Sequence, residues 1–165
     1  MLPNNFTHRA QEAIQRAHMN AMDRGQTQLD PLHLASALLE QDDGIVPAMM
    51  RKLGVDLASL KSAVEEGLHK LPVGSQISAP PGQIFLSDQL AKSLQTADKA
   101  AREFGDKFIS SEHLFLGLIS GCPSLSRVLA SHGVTNEQIF SSLKELRGSH
   151  KVDSPEAEAR VELLK

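Results

Sequence analysis

The sequence contains no tryptophan, no tyrosine and a single cysteine. Its 17 basic and 20 acidic side chains form no basic block, so the positive charge and the aromatic stacking that nucleic-acid binding needs are both missing. A lone cysteine cannot form an internal disulfide, which is typical of a reducing compartment. Apolar runs are only a few residues long, and the N-terminus lacks the charged and apolar regions of a signal peptide. We therefore expect a cytoplasmic protein with no nucleic-acid and no membrane partner.

What the sequence does contain is an internal repeat. The stretch from Asp30 to Leu39 returns eighty positions later, from Ser110 to Ile119, and the same offset pairs His33 with His113. After one deletion, at an offset of 79, Gly54-Val55 pairs with Gly133-Val134. A repeat of this length accommodates a bundle of helices rather than one solenoid turn, and two copies favour a pseudo-twofold domain.

Each copy predicts four helices from its capping residues and apolar periodicity. The predicted starts in the first copy are Asn4 or Asn5, Asp30 with Pro31, about Val46, and Asp56; those in the second are Ser87, Ser110, about Leu125, and Thr135 in a capping box with Gln138. The predicted fold class is therefore all-α, a pseudo-twofold duplication of a four-helix unit with about eight helices in one globular domain.

Proline, glycine and serine divide the chain between the helical patterns. We predict a domain over 1–147, with repeat one at about 4–69, a linker at 70–83 and repeat two at about 84–147. Residues 148–165 follow as a flexible joint and the start of another helix at Pro155. The apolar stripe of that helix stops at Lys165, so we expect this chain to be the front piece of a longer protein.

Motifs that carry catalysis are missing. No glycine-rich loop precedes a Lys-Ser or Lys-Thr pair, and Cys122 stands beside Pro123 with no histidine near it in sequence. The repeat relates His33 to His113, but no cysteine or acidic residue recurs at metal-ligand spacing in both copies. We predict no catalytic residue, no metal and no cofactor, and expect each of these histidines to hydrogen-bond within its own helix junction. An enzyme that uses Cys122 or the histidines remains a rival hypothesis.

Five segments in a fixed order carry a resemblance to a known family. They are Phe6-Thr7-His8-Arg9-Ala10, Leu29-Asp30-Pro31-Leu32-His33-Leu34-Ala35, His69-Lys70-Leu71-Pro72, Gly105-Asp106-Lys107-Phe108-Ile109-Ser110-Ser111-Glu112, and Leu146-Arg147-Gly148 with Lys151-Val152. Together with the duplication, they resemble the N-terminal domain of the Clp/heat-shock AAA+ ATPases from about Phe6 to the end of the chain. The resemblance implies a non-enzymatic module of an ATP-dependent protein disaggregase, a hexameric ring that binds exposed hydrophobic segments of unfolded or aggregated protein.

The same resemblance implies partners and cofactors outside this chain. ATP and magnesium are expected in ATPase modules that this sequence does not contain, and a co-chaperone of the Hsp70 type is a possible partner through other domains. The rival from a different class is an adaptor-docking domain of a Clp ATPase that partners a protease. A docking domain would show a defined interface and one-to-one stoichiometry, whereas a substrate groove would accept many unrelated unfolded chains.

The family also implies site residues. Its substrate groove is attributed to the first helix of the second unit and the start of the next, where Thr96, Ala100 and His113 match; these are smaller or more polar than the leucines of some relatives. Three polar positions implicated in chaperone function match Thr7, Asp106 and Glu112. Structural alternatives stay open for the last three: a helix start for Thr7, a turn for Asp106, and the positive end of a helix dipole for Glu112.

One branch of the family binds phosphorylated arginine through a glutamate in each repeat. Here the second repeat has Glu112, but the first has Leu32, which cannot form a charge-assisted pair with a guanidinium. We therefore expect no paired recognition of phosphoarginine.

Overall fold

The computed structural model describes residues 3–73, 84–148 and 150–156. Eight α-helices are found in these residues: α1 (His8–Asp23), α2 (Pro31–Leu39), α3 (Ile45–Lys52), α4 (Leu57–His69), α5 (Asp88–Glu103), α6 (Ser111–Gly121), α7 (Pro123–Ser131) and α8 (Asn136–Arg147). Helices α1 to α4 belong to the first repeat and α5 to α8 to the second. The predicted all-α fold with eight helices is confirmed.

Equivalent helices begin with equivalent caps. Asp30 and Ser110 each open a capping box in which the residue three positions later is a histidine, and Thr135 forms the predicted box with Gln138. The cap predicted at Asn4 or Asn5 is wrong, because the Thr7 hydroxyl accepts from the Ala10 amide instead. The Asn5 side chain is used elsewhere, since its amide donates to the Lys107 carbonyl of the second repeat at 2.8 Å.

The core is continuous through both repeats and contains small residues where helices approach closely. Helix α1 buries only alanines, which are fully inaccessible: Ala10, Ala13, Ala17 and Ala21. Helices α5 and α6 come even closer, because a Cβ added to Gly117 would lie 2.2 Å from the Ser93 carbonyl oxygen. Side chains this small allow backbone-to-backbone packing of neighbouring helices.

One short parallel strand pair and one parallel bridge link the repeats, and the sequence did not predict them. Strand β1 (Gln28–Leu29) pairs in parallel with β2 (Phe85–Leu86), and Phe6 forms the equivalent parallel bridge with Ile109. In each case, the segment before the first helix of one repeat pairs with the loop before the second helix of the other. The repeats are therefore joined crosswise.

Residues 150–156, called the exit strap below, fold back onto the domain. Val152 is fully buried, its amide donates to Asp106 Oδ1 at 3.0 Å, and its carbonyl accepts from the amides of Lys107 and Phe108. The Pro155 carbonyl accepts from the His8 amide at the start of α1. The packed domain thus extends beyond the boundary drawn at residue 147, because these backbone groups find partners on it.

The remaining boundary predictions fall partly outside the described residues. Residues 74–83 of the predicted linker and 157–165 of the predicted last helix are among those that the structure does not describe. In the described ranges no single helix is long and apolar enough to span a membrane; α6 and α7 would match a span only as a pair, and they are bent by 97°.

Candidate functional site

A groove with a volume of about 620 Å³ opens between α5, α6 and α8, and is called the α6–α8 groove. Its α5 side is formed by Thr96 and Ala100, two of the residues that the resemblance implied, together with Lys99 and Glu103. The other apolar lining residues are Leu116, Ile119 and Phe140, and the charged ones are Lys99, Glu103 and Glu137. The groove therefore combines an apolar wall with charges of both signs, a composition that suits a peptide segment whose backbone stays partly hydrated.

Phe140 is the main exposed apolar side chain of this groove, with 38% of its surface accessible. Its ring packs on Phe104 with 5.5 Å between centroids, and the Lys144 ammonium lies 4.6 Å from its centroid. Aromatic and cation–π contacts of this geometry restrict a ring that would otherwise be mobile. Phe140 is thus held in place and still presents apolar surface to the groove.

The duplication produces a second groove, which has a different chemistry. The α2–α4 groove, of about 530 Å³, is lined by α2 and α4, the counterparts of α6 and α8, with Ser36 in place of Leu116 and Lys61 in place of Phe140. Its charged lining residues are Glu40, Lys61, Glu65 and Glu66, and Leu39 and Val64 are its apolar ones. Lys61 pairs with Glu40 at 3.8 Å, and Glu65 pairs with Arg24. Lys61 thus places a charge where the other groove has Phe140, and Ser36 places a hydroxyl where it has Leu116, whereas Leu39 keeps the apolar character of Ile119.

A buried polar cluster lies behind the α6–α8 groove. Asp106 is its centre: Oδ2 accepts from His113 Nε2 at 2.8 Å, and Oδ1 accepts from Arg147 Nη2 at 2.8 Å as well as from the Val152 amide. The Arg147 Nε lies 3.5 Å from Glu112 Oε2. Side chains of all four polar residues are almost inaccessible. The cluster joins α6, the end of α8 and the exit strap.

Burial and hydrogen bonding fix the ionisation of this cluster. Burial raises the pKa of Asp106, but hydrogen bonds from Arg147 and Val152 outweigh it and hold that pKa below its ordinary value. Burial, with the positive charge of Arg147, lowers the pKa of His113 to about 4 despite the neighbouring Asp106. His113 Nδ1 accepts from the Ser110 amide, so the neutral ring carries its proton on Nε2 and donates it to Asp106.

Repeat one has a neutral version of the same junction. His33 Nδ1 accepts from the Asp30 amide and His33 Nε2 contacts Gln26 Oε1 at 2.6 Å. Gln26, the counterpart of Asp106, in turn donates to the Leu68 carbonyl at 2.9 Å. Leu68 is the counterpart of Arg147, whose side chain donates to Asp106 in repeat two. The expectation that each histidine bonds within its own helix junction is confirmed.

The structure separates the six site residues that the resemblance implied. Thr96 and Ala100 line the groove, whereas His113, which was expected beside them, is buried among Asp106, Ser110 and Phe104. Thr7, Asp106 and Glu112 are buried too, at 0%, 7% and 2% exposure. Direct contact of these four side chains with a bound chain is incompatible with this burial, so any role that they have in binding is indirect.

Sequence reasoning missed Leu116, Ile119 and Phe140 as groove residues, and Arg147 as a member of the cluster. The first two look like ordinary core positions of α6. For Phe140 a signal existed, because a phenylalanine in the second repeat stands where the first has Lys61, directly after a core position in both helices.

Other candidate chemistry finds no support. Burial raises the pKa of the Cys122 thiol, which lies in the core at the junction of α6 and α7. A thiol with a raised pKa is a poor nucleophile at neutral pH. Among the residues with described positions, no group of three or more potential ligand side chains could hold a metal ion.

Comparison with known families agrees with this architecture. The family model of the Clp repeat (R) N-terminal domain matches residues 5–132. The chain belongs to the Clp repeat N-terminal domain family. The predicted resemblance is therefore confirmed. The chaperone protein ClpB of Rhodopirellula baltica is 32% identical over 159 residues, which are 96% of this chain and 18% of that protein. The chain thus spans about a fifth of the length of such curated relatives.

Solved structures share the fold of this Clp repeat domain. The Hsp104 N-terminal domain from Candida albicans superposes with a TM-score of 0.83 at 25% identity, covering 94% of this chain and all of that one. A ClpV N-domain in complex with a VipB peptide superposes with a TM-score of 0.68 at 17% identity, covering 85% of each chain. At 17% identity, the similarity to the ClpV N-domain shows a shared fold alone.

Proposed function

We propose that the α6–α8 groove binds extended apolar segments of unfolded or aggregated protein, and that this chain is the substrate-engagement domain of a ClpB-like ATP-dependent disaggregase. The observation on which this rests is the wall formed by Ala100, Leu116, Ile119 and Phe140, with Phe140 held in place and 38% exposed. Apolar surface left open at the centre of a groove favours a partner that brings apolar side chains of its own.

The size and composition of the groove support weak and reversible binding. The wall is short, and Thr96 and Ala100 bring little apolar area on the α5 side. Since affinity rises with the apolar surface removed from water, a few buried side chains give binding that is easily released. Such binding suits a domain that passes segments on to a ring.

The relatives support the same proposal at a coarser level. Full-length relatives are named as ClpB chaperones, and a ClpV N-domain of this fold has been solved with a peptide bound. The ATPase activity, the hexameric ring and an Hsp70-type co-chaperone would belong to the full-length protein and are part of the proposal. Docking of a folded adaptor, the rival function, would use a defined interface with one partner.

The experiment is fluorescence anisotropy of a labelled, reduced and alkylated protein that cannot refold, titrated with the 165-residue chain. We expect saturable binding that Thr96→Asp and Ala100→Asp each weaken about tenfold or more, because a carboxylate in the apolar wall has to be desolvated. The matched control is Ser62→Asp in the α2–α4 groove, where Ser62 is the counterpart of Ser141 and is exposed. Equal loss in all three variants, or no binding by the unmodified chain, would contradict the proposal.

A further inference from the structure

The α6–α8 and α2–α4 grooves lie between equivalent helices of the two repeats, and they differ in chemistry at two equivalent positions. Leu116 and Phe140 of the α6–α8 groove correspond to Ser36 and Lys61 of the α2–α4 groove, through offsets of 80 and 79 residues. The flanking core residues are conserved in kind between the repeats, since Leu60 and Ile139 are both fully buried. The backbone therefore presents the same two sites twice, with different side chains.

We propose that Phe140, backed by Phe104, is the specificity-determining residue of the domain, and that the preferred occupant is an extended segment with an aromatic or large aliphatic side chain. This inference rests on the proposed function of the α6–α8 groove. It adds which kind of side chain of the bound segment is recognised and which residue recognises it. It also explains why the α2–α4 groove does not bind the same segment.

The geometry around Phe140 supports recognition of an aromatic side chain. Phe104 packs on its ring with 5.5 Å between centroids, the Lys144 ammonium lies 4.6 Å from its centroid, and 38% of the Phe140 surface stays accessible in the lining of the groove. Phe104 is itself held by Arg147, whose guanidinium carbon lies 4.7 Å from the ring centroid. An incoming ring can pack against this accessible surface at little entropic cost, because the contacts of Phe140 already restrict its own ring.

The different charges of the two grooves also favour binding of an apolar side chain in the α6–α8 groove. At the position of Phe140, repeat one places the Lys61 ammonium, which pairs with Glu40, and the groove also contains the Arg24–Glu65 pair at its edge. An apolar side chain entering there would strip water from these charges without replacing their hydrogen bonds, which opposes binding. In the α6–α8 groove no charged residue stands at the position of Lys61, so the same side chain meets the apolar surface of Phe140 there, although Lys99, Glu103 and Glu137 line other parts of the groove.

The test exchanges residues between the grooves. The probe is a fluorescein-labelled 12-residue peptide with a Phe-Val-Phe centre in a Gly-Ser frame, and its control has Ala-Ala-Ala at the centre. We expect the unmodified chain to bind the first peptide at least tenfold more tightly than the second. Phe140→Lys should remove this preference, whereas Phe140→Leu should keep binding of the Phe-Val-Phe peptide within about threefold.

The reciprocal variant provides a gain of function. Ser36→Leu combined with Lys61→Phe should create a second site, seen as a stoichiometry of two peptides per chain. Circular dichroism of each variant would verify the helical fold, and Phe140→Leu controls for the loss of the ring contact with Phe104.

The outcomes separate this inference from the function on which it rests. If Phe140→Lys binds the Phe-Val-Phe peptide as the unmodified chain does while Ala100→Asp does not, the groove is a client site and the role assigned to Phe140 is wrong. If the unmodified chain binds neither this peptide nor the unfolded protein, both the inference and the proposed function fail.

Discussion

Gly117 lies where α5 and α6 pack backbone to backbone, and its counterpart in repeat one is Ala37. A Cβ at position 117 would meet the Ser93 carbonyl oxygen at 2.2 Å and the Ala97 amide nitrogen at 2.9 Å. We predict that Gly117→Ala destabilises the fold by about 1–3 kcal/mol, because two backbones must move apart. Urea unfolding followed by circular dichroism measures this change.

Ser120→Ala on the same helix is the control, since Ser120 is exposed, and it should change the free energy of unfolding by less than about 0.5 kcal/mol. An unchanged unfolding midpoint for Gly117→Ala would show that α5 and α6 are not as close as the structure places them.

His33 and His113 predict a pH dependence of stability. Burial is the main cause that lowers the pKa of each from 6.5 to about 4. The folded state therefore takes up these protons later than the unfolded chain, so stability is highest above pH 6.5 and falls as the pH drops from 6.5 toward 4. Between pH 7 and pH 5 we expect a loss of about 2 kcal/mol per histidine, measured by urea unfolding at both values.

The ring chemical shifts of His33 and His113 provide the direct control in NMR spectra. Both should stay those of the neutral ring down to about pH 5. Titration of either ring at its ordinary pKa of 6.5 would contradict the buried, neutral junctions described here.

At the residue scale, the sequence predicted roles that depend on local spacing. The histidines three residues into α2 and α6, and the caps at Asp30 and Thr135, follow from neighbours along the chain. The roles of Phe140 and Arg147 could not be predicted in this way, because their partners, Phe104 and Asp106, lie tens of residues away in sequence. A side chain whose function depends on tertiary neighbours gives little local signal.

At the scale of elements, the exit strap is held by the residue that also organises the buried cluster. Asp106 accepts from His113, Arg147 and the Val152 amide, so Asp106→Ala leaves buried donors without their acceptor. We predict a loss of about 3–5 kcal/mol in stability and faster hydrogen exchange at the Lys107 and Phe108 amides, which donate to the Val152 carbonyl. Hydrogen exchange monitored by NMR distinguishes strap release from general loosening.

Gln26→Ala, the equivalent change in repeat one, is the matched control. Gln26 forms hydrogen bonds with His33 and the Leu68 carbonyl and not with the exit strap. Gln26→Ala should therefore speed exchange at the Lys107 and Phe108 amides only as far as it lowers the free energy of global unfolding. Unchanged exchange at these amides in Asp106→Ala would contradict the role assigned to Asp106 in holding the strap.

All eight helices were predictable because each has its own cap and apolar face, and Gly54 and Gly133, with φ of 78° and 79°, end equivalent helices. The crosswise strands were not, since two residues are too few for a strand pattern and their pairing joins the two repeats. The strap was missed for a similar reason: Gly148 and Ser149 ahead of it suggested a flexible joint, whereas Val152 docks through backbone hydrogen bonds to distant residues.

At the scale of the whole molecule, a symmetric frame holds two grooves of unequal chemistry. The crosswise strands and the equivalent caps preserve the symmetry, whereas Ser36 and Lys61 against Leu116 and Phe140 break it at the surface. Duplication thus provides the scaffold, and divergence at a few groove positions makes the α6–α8 groove more apolar than the α2–α4 groove. The binding site of this domain is consequently expected on the second repeat alone.

The most direct test of this account is an amide-shift NMR titration of the 165-residue chain with the permanently unfolded protein. We predict shifts that cluster on the residues of the α6–α8 groove, around Thr96, Ala100, Leu116 and Phe140, with the α2–α4 groove unchanged. Shifts centred on Ser36 and Lys61, or no shifts at all, would contradict the claim that the second repeat engages extended apolar segments.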